Sequence, residues 1–147
     1  MSIIVPIFMA ALIGIFLTVQ TGVNMQLQQN WALAAAPAAL ASLSIGALTT
    51  LAYILITRTP IPPLPGQTSI WHWSGGVLGS YTVIAMILLA PRLGMGTLTA
   101  VVLAAQLGSA LVLDHYGLIG FAVRDFTWQR LVGLALMIGG VVMIQKY

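Results

Sequence analysis

Gln20, Asn24 and Gln28 recur at intervals of four, a spacing that lines three carboxamides along one face of a helix. Each carboxamide both donates and accepts hydrogen bonds, so such a stripe suits a neutral or zwitterionic polar molecule. Gln106, Ala110 and Asp114 repeat the spacing further along, with Ser109 beside them. A cationic ligand would want aromatic faces or acids, and Trp71, Trp73 and Asp114 are the residues that offer them. Covalent chemistry has no comparable support: the sequence shows no nucleophile paired with a base, no phosphate loop and no cluster of metal ligands. The absence of cysteine removes disulfides and thiolate metal sites. His72 and His115 are far apart and make no metal site alone. No cofactor and no enzymatic activity are expected.

The elements that must carry these amides are membrane helices. Residues are 60% hydrophobic and 5% charged, and the mean hydropathy is +1.05. A water-soluble domain of 147 residues leaves too much of its surface wet to hide that much apolar material. The five basic residues, Arg58, Arg92, Arg124, Arg130 and Lys146, stand singly, so no nucleic-acid surface is expected. The start MSIIVPIFMAALIG lacks the basic residues of a secretory signal and reads as a retained first span.

Five apolar runs follow, at about 3–23 (extending as far as Asn30 if the helix continues), 38–57, 71–90, 97–115 and 128–145. Each has the ~20 residues that cross a bilayer as a helix. Strands of a lipid-embedded barrel would alternate apolar and polar residues, and these runs do not. The expected fold is all-α: one transmembrane domain of five helices in a lipid bilayer. Pro37 suits the first turn of the second helix. The loop RTPIPPLPGQTSI reads as an extended linker, and Pro91 is expected to break the third helix from the fourth. Trp31, Trp71, Trp73, Tyr116, Trp128 and Tyr147 fall at expected helix ends, where interfacial aromatics gather.

Small residues suit helix packing in lipid. Gly14 and Gly22 share a face with Ala10 and Thr18; Gly75, Gly76 and Gly79 cluster with Ser80; Gly139 and Gly140 follow Ala135. Structural packing is the preferred reading for these glycines. The amides carry two readings. Gln20 and Asn24 either face a substrate or join helices, Asp114 is either functional or an interfacial carboxylate, and Gln26, Gln29 and Asn30 meet water at the membrane surface.

The motifs add up to a resemblance. A glycine-containing first helix leads into Gln20 and Asn24. PAALASLSIGALTTL follows, then WHWSGGVLGS after the proline-rich loop, PRLGMGT, AQLGSALVLDHYG and a final RLVGLALMIGGVVMI. Over nearly the whole chain this resembles the YdcZ-type family of the drug/metabolite transporter superfamily. The resemblance implies a bacterial inner-membrane protein. It also implies a chain of about half the usual transporter size, since larger members carry two five-helix repeats in inverted orientation. An inverted second copy of this chain would rebuild that arrangement. The last helix also resembles that of small multidrug resistance proteins, but the glutamate they use in helix 1 has no counterpart here, since this chain has no glutamate.

The leading expectation is therefore a small-molecule transporter working by alternating access, with a small polar metabolite or drug-like cargo. It would act as an antiparallel, dual-topology homodimer in which Asp114 of one copy comes level with Gln20 of the other. A non-transporting scaffold or regulatory subunit, and one half of a heterodimer, are the alternatives. Dual topology rests on charge. With five spans, Arg58, Arg124 and Arg130 fall on the N-terminal side and Arg92 and Lys146 on the other. Orientation follows the Lys/Arg bias, and three against two is almost none. Both orientations should thus coexist in one membrane, so a cysteine at Ser69 should be labelled from either side. Two lysines added near Gln67 should turn every N-terminus inward. Labelling from one side only in the native background would refute dual insertion.

Overall fold

The computed structural model describes residues 3–62 and 69–146. The middle of the proline-rich loop, the first two residues and Tyr147 lie outside the described residues. Regular structure among the described residues is entirely helical, in five main helices: α1 Ile4–Leu27, α2 Ala35–Thr57, α3 Ser74–Leu93, α4 Met95–Tyr116 and α5 Trp128–Lys146. All five are long and apolar enough to cross a membrane. The chain divides into two compact units, Met1–Ala90 and Pro91–Tyr147.

In the first unit, α1 does not stop at Val23. It continues to Leu27 and then through a π-helical turn, Gln28–Ala32. The extension has a local cause. No glycine or proline lies between Val23 and Leu33, and Met, Gln and Leu are good helix formers. The helix ends at Leu33, which takes a left-handed conformation (φ 59°) and donates its N–H to the Gln28 carbonyl at 2.8 Å. Ala34 is extended and opens α2. Pro37 is the third residue of that helix, where no N–H is needed. α2 closes on Arg58, also left-handed, while the Thr59 N–H reaches back to the Ile54 carbonyl at 3.1 Å.

α1 and α2 therefore form a tight antiparallel hairpin. The core of the unit is small-residue packing. Ala35, Ala38 and Ala39 of α2 are buried with Ile87 of α3, and Leu27, Ala32, Val83 and Ile84 pack around them. Alanine lets helices approach closely, which matters in lipid, where association depends on packing rather than on expelling water. Six hydroxyls within the helices are satisfied locally. Thr18, Thr21, Thr49, Thr50, Ser80 and Thr82 each donate to the carbonyl four residues back, at 2.8–3.1 Å.

The break between α3 and α4 falls within PRLGMG, as expected, but at Gly94 rather than at Pro91. α3 carries Pro91 within its last turn and stops at Leu93, before Gly94 at φ 78°. A proline near a helix C-terminus forfeits one i−4 bond, and the positive-φ glycine supplies the break instead. In the second unit α4 and α5 pair antiparallel. Gly96 at the start of α4 lies against Ile144 near the end of α5, and Asp114 near the end of α4 meets Arg130 near the start of α5. Leu98 and Leu111 are the buried residues of α4.

The glycines expected to pack helices stand open. A Cβ at Gly14, Gly22, Gly75, Gly76, Gly79, Gly139 or Gly140 would meet nothing within 4 Å in its own unit. Close packing in the first unit is done by alanines. Ala38, with no exposed surface, has no room to grow, so Ala38→Leu should destabilise by about 1–3 kcal/mol through overpacking. Ala36→Leu, on the exposed side of the same turn, should cost almost nothing. Reversible unfolding in mixed micelles measures both, and equal stability of the two variants would refute this account of the core.

Candidate functional site in the first helical hairpin

A cleft of about 450 Å³ opens between α1 and α2, a size typical of small-molecule sites. Phe16, Val19, Gln20, Val23, Asn24 and Leu27 of α1 line it, with Ser42 and Ile45 of α2. Spacings of three and four on α1 explain why these side chains share a face. The two amides differ. Gln20 is exposed, whereas Asn24 is only 5% exposed. Among the described residues the Asn24 side chain makes no hydrogen bond, although buried carboxamides normally find partners. Thr21, equally buried, satisfies itself by donating to the Leu17 carbonyl at 2.9 Å.

Helix lengths set the depth of this site. α2 has 23 residues, roughly 34 Å at ~1.5 Å per residue, little more than the ~30 Å of hydrocarbon. If α2 spans, its first residue lies near one membrane surface, and so does the turn at Leu33. Asn24 and Ser42 are each nine residues from Leu33 in sequence, hence roughly 13 Å below that surface by helical rise. Gln20 lies one further turn in. The pair thus brackets the bilayer midplane. An α1 ending at Val23 would have left these amides at a surface; its continuation to Ala32 moves them inside.

The other expected residues are placed elsewhere. Trp71 and Trp73 sit in a 3₁₀ turn before α3, exposed, and do not line the cleft. Gln106 is exposed, eleven residues after the start of α4 and ten before its end. Ser109 is exposed on the same helix. Asp114 is two residues from the end of α4, and its carboxylate is 3.8 Å from the Arg130 guanidinium. Its carbonyl accepts the Arg124 N–H at 2.9 Å, tying down the returning loop. Beside it the His115 ring lies 4.8 Å from Tyr116 and 4.6 Å from Phe126. His115 Nδ1 is buried with no hydrogen-bond partner. Asp114 thus lies near its helix end with Arg130 of its own unit beside it, whereas Gln20 lies well inside α1.

Sequence reasoning missed Phe16, Val19, Val23, Leu27, Ser42 and Ile45 as lining residues. Ser42 had a signal: it mirrors Asn24 about Leu33, but only once Leu33 is known to be the turn.

A family model described as "Putative inner membrane exporter, YdcZ" matches residues 5–143. The chain belongs to this family. No curated protein and no solved structure matches it. As a YdcZ-family member with five helices long and apolar enough to cross a membrane, it is a multi-pass inner-membrane protein and a membrane transporter.

Asp114 and Gly117 give a test of the α4–α5 end. The ion pair is long, and its side chains are 32% and 28% exposed, so Asp114→Asn should cost less than about 1 kcal/mol. Gly117 has φ 59°, and a Cβ there would lie 2.7 Å from Val123 Cγ2. Gly117→Ala should therefore cost about 1–3 kcal/mol. Thermal unfolding of both variants in detergent checks the order; a larger loss for Asp114→Asn would overturn it.

Proposed function

We propose that this YdcZ-family chain exports a small molecule by alternating access, through a pathway that includes the α1–α2 cleft. One chain acts as a single five-helix domain and as half of an antiparallel, dual-topology homodimer, which rebuilds the ten helices of an inverted-repeat carrier. The observation that carries the reading is Asn24. It is nearly buried, has no hydrogen-bond partner among the described residues, and lines a cleft; if α2 spans, helical rise from the turn at Leu33 puts it roughly 13 Å below the membrane surface. Polar groups inside lipid are costly and mark substrate pathways when they face a cavity, and carriers with inverted repeats hold their cargo near the midplane. The family description supports export as the direction. The near-equal Lys/Arg counts support insertion both ways, and inverted copies are what an antiparallel dimer needs. Gln20 and Ser42 complete the polar lining. Trp71 and Trp73 of the same unit are not among its lining residues, and Gln106, Ser109 and Asp114 belong to the second unit.

Asn24→Leu should abolish transport while the protein still inserts and associates, because the Asn24 side chain makes no hydrogen bond among the described residues for the substitution to break. Proteoliposomes loaded with a pool of cell metabolites, with efflux followed by mass spectrometry, make the comparison. Wild-type depletion of a subset of compounds, lost in Asn24→Leu, is the expected result. Equal depletion by both would assign Asn24 to packing.

A further inference from the structure

We infer that the cleft takes an uncharged amphiphile, a compact hydrocarbon body bearing one carboxamide or hydroxyl group, and discriminates against organic cations and anions. The inference rests on the reading of the cleft as the transport site and goes further, to the class of cargo.

The lining is the first reason. Five of its eight side chains are hydrocarbon: Phe16, Val19, Val23, Leu27 and Ile45. The other three, Gln20, Asn24 and Ser42, are polar and neutral. A carboxamide offers an acceptor oxygen and two N–H donors, and a hydroxyl offers one donor and two lone pairs. Together they complete the hydrogen bonds of a group that itself both donates and accepts. A bare ion would leave half of them idle.

The second reason is the charge around the cleft. Among the described residues of the first unit, Arg58 is the one formally charged side chain. It lies thirteen residues beyond Ile45 on the same helix, roughly 20 Å along the axis. The two acids of the chain, Asp114 and Asp125, both belong to the second unit, and the Asp114 carboxylate is taken by Arg130. A cation in the cleft would thus have no counter-ion from its own unit, and an anion would have only a distant one. An unpaired ion is the most costly guest for a low-dielectric site.

The third reason excludes a lipid tail as the occupant. An acyl chain would cover the five apolar side chains but leave the Asn24 amide without a partner, at the depth where no water replaces it. A cargo group at Asn24 removes that deficit.

Full-length protein in lipid nanodiscs can be titrated with three probes sharing one ring system: 2-naphthamide (neutral), 2-naphthamidinium (cation) and 2-naphthoate (anion). Equilibrium dialysis against empty nanodiscs subtracts partition into lipid. Saturable binding of the naphthamide, at least about tenfold tighter than either ion and weakened at least as much in Asn24→Leu, is the expected result. Equal or tighter binding of either ion would overturn the cargo class. So would naphthamide binding that is unchanged in Asn24→Leu. Efflux assays with the same variant separate the two readings. If Asn24→Leu stops transport but the probes show no preference for the neutral compound, the cargo class fails and the transport site stands. If the preference is seen and Asn24→Leu still transports normally, the transport reading fails, and the cargo assignment with it.

Discussion

Hydrocarbon offers no hydrogen bonds, so every polar group carried into it must be satisfied by the protein. Most of this molecule is a response to that constraint. The backbone meets it by forming helices wherever the chain is apolar. Threonine and serine hydroxyls meet it by donating to carbonyls one turn back, as Thr21 does to Leu17 and Thr49 to Ile45. Where such local solutions are in place, a polar residue in a span says little about function. Asn24 differs because its short, flat amide has no such solution in place, and it is aimed into a cavity instead.

The turn at Leu33 gives that amide its depth. A left-handed leucine is unfavourable in itself, because its Cβ crowds the following carbonyl. It persists because its N–H closes the π-helical turn on Gln28 and because the alanines that follow seat α2 against Ile87. Fixing the turn fixes the register of the hairpin, and Asn24 and Ser42 then lie opposite each other at equal distance from it. Moving the turn by a few residues toward the N-terminus would carry the amides to the membrane surface, where water would satisfy them.

Much of this was legible beforehand. Five apolar runs with breakers between them announce five membrane helices, and the resemblance to the YdcZ-type family agrees with the family match. Illegible features came from places where local chemistry is ambiguous. The glutamines and asparagines after Val23 read two ways: amides are common at membrane surfaces, where a span ends, yet the lack of glycine and proline also lets the helix run on to Asn30, and local chemistry does not choose between them. Pro91 looks like a helix end, yet a proline in the last turn forfeits only one bond, and the true stop is the left-handed Gly94. Asp114 looks available until α5 returns with Arg130, a contact across sixteen residues that no local pattern encodes. The glycine stripes mark surfaces that stay open within each unit, and their pattern does not distinguish contacts within a chain from contacts between chains, while plain alanines carry the contact in the first unit.

The run from Gln20 to Asn30 is therefore two groups of amides under one composition. Gln26, Gln29 and Asn30 are exposed, close to the turn, at the level where water reaches them. Gln20 and Asn24 are on the cleft face, one helical turn apart. Position decides their chemistry. Near the turn an amide is held loosely by solvent, and any ligand must compete with water for it. At mid-depth the same amide has no water to lose, so each hydrogen bond it makes is electrostatically stronger than in a wet setting. A membrane carrier that must recognise a neutral molecule without using charge has few other sources of selectivity. On the proposed reading, the two carboxamides and one hydroxyl that line a mostly hydrocarbon cleft would supply one.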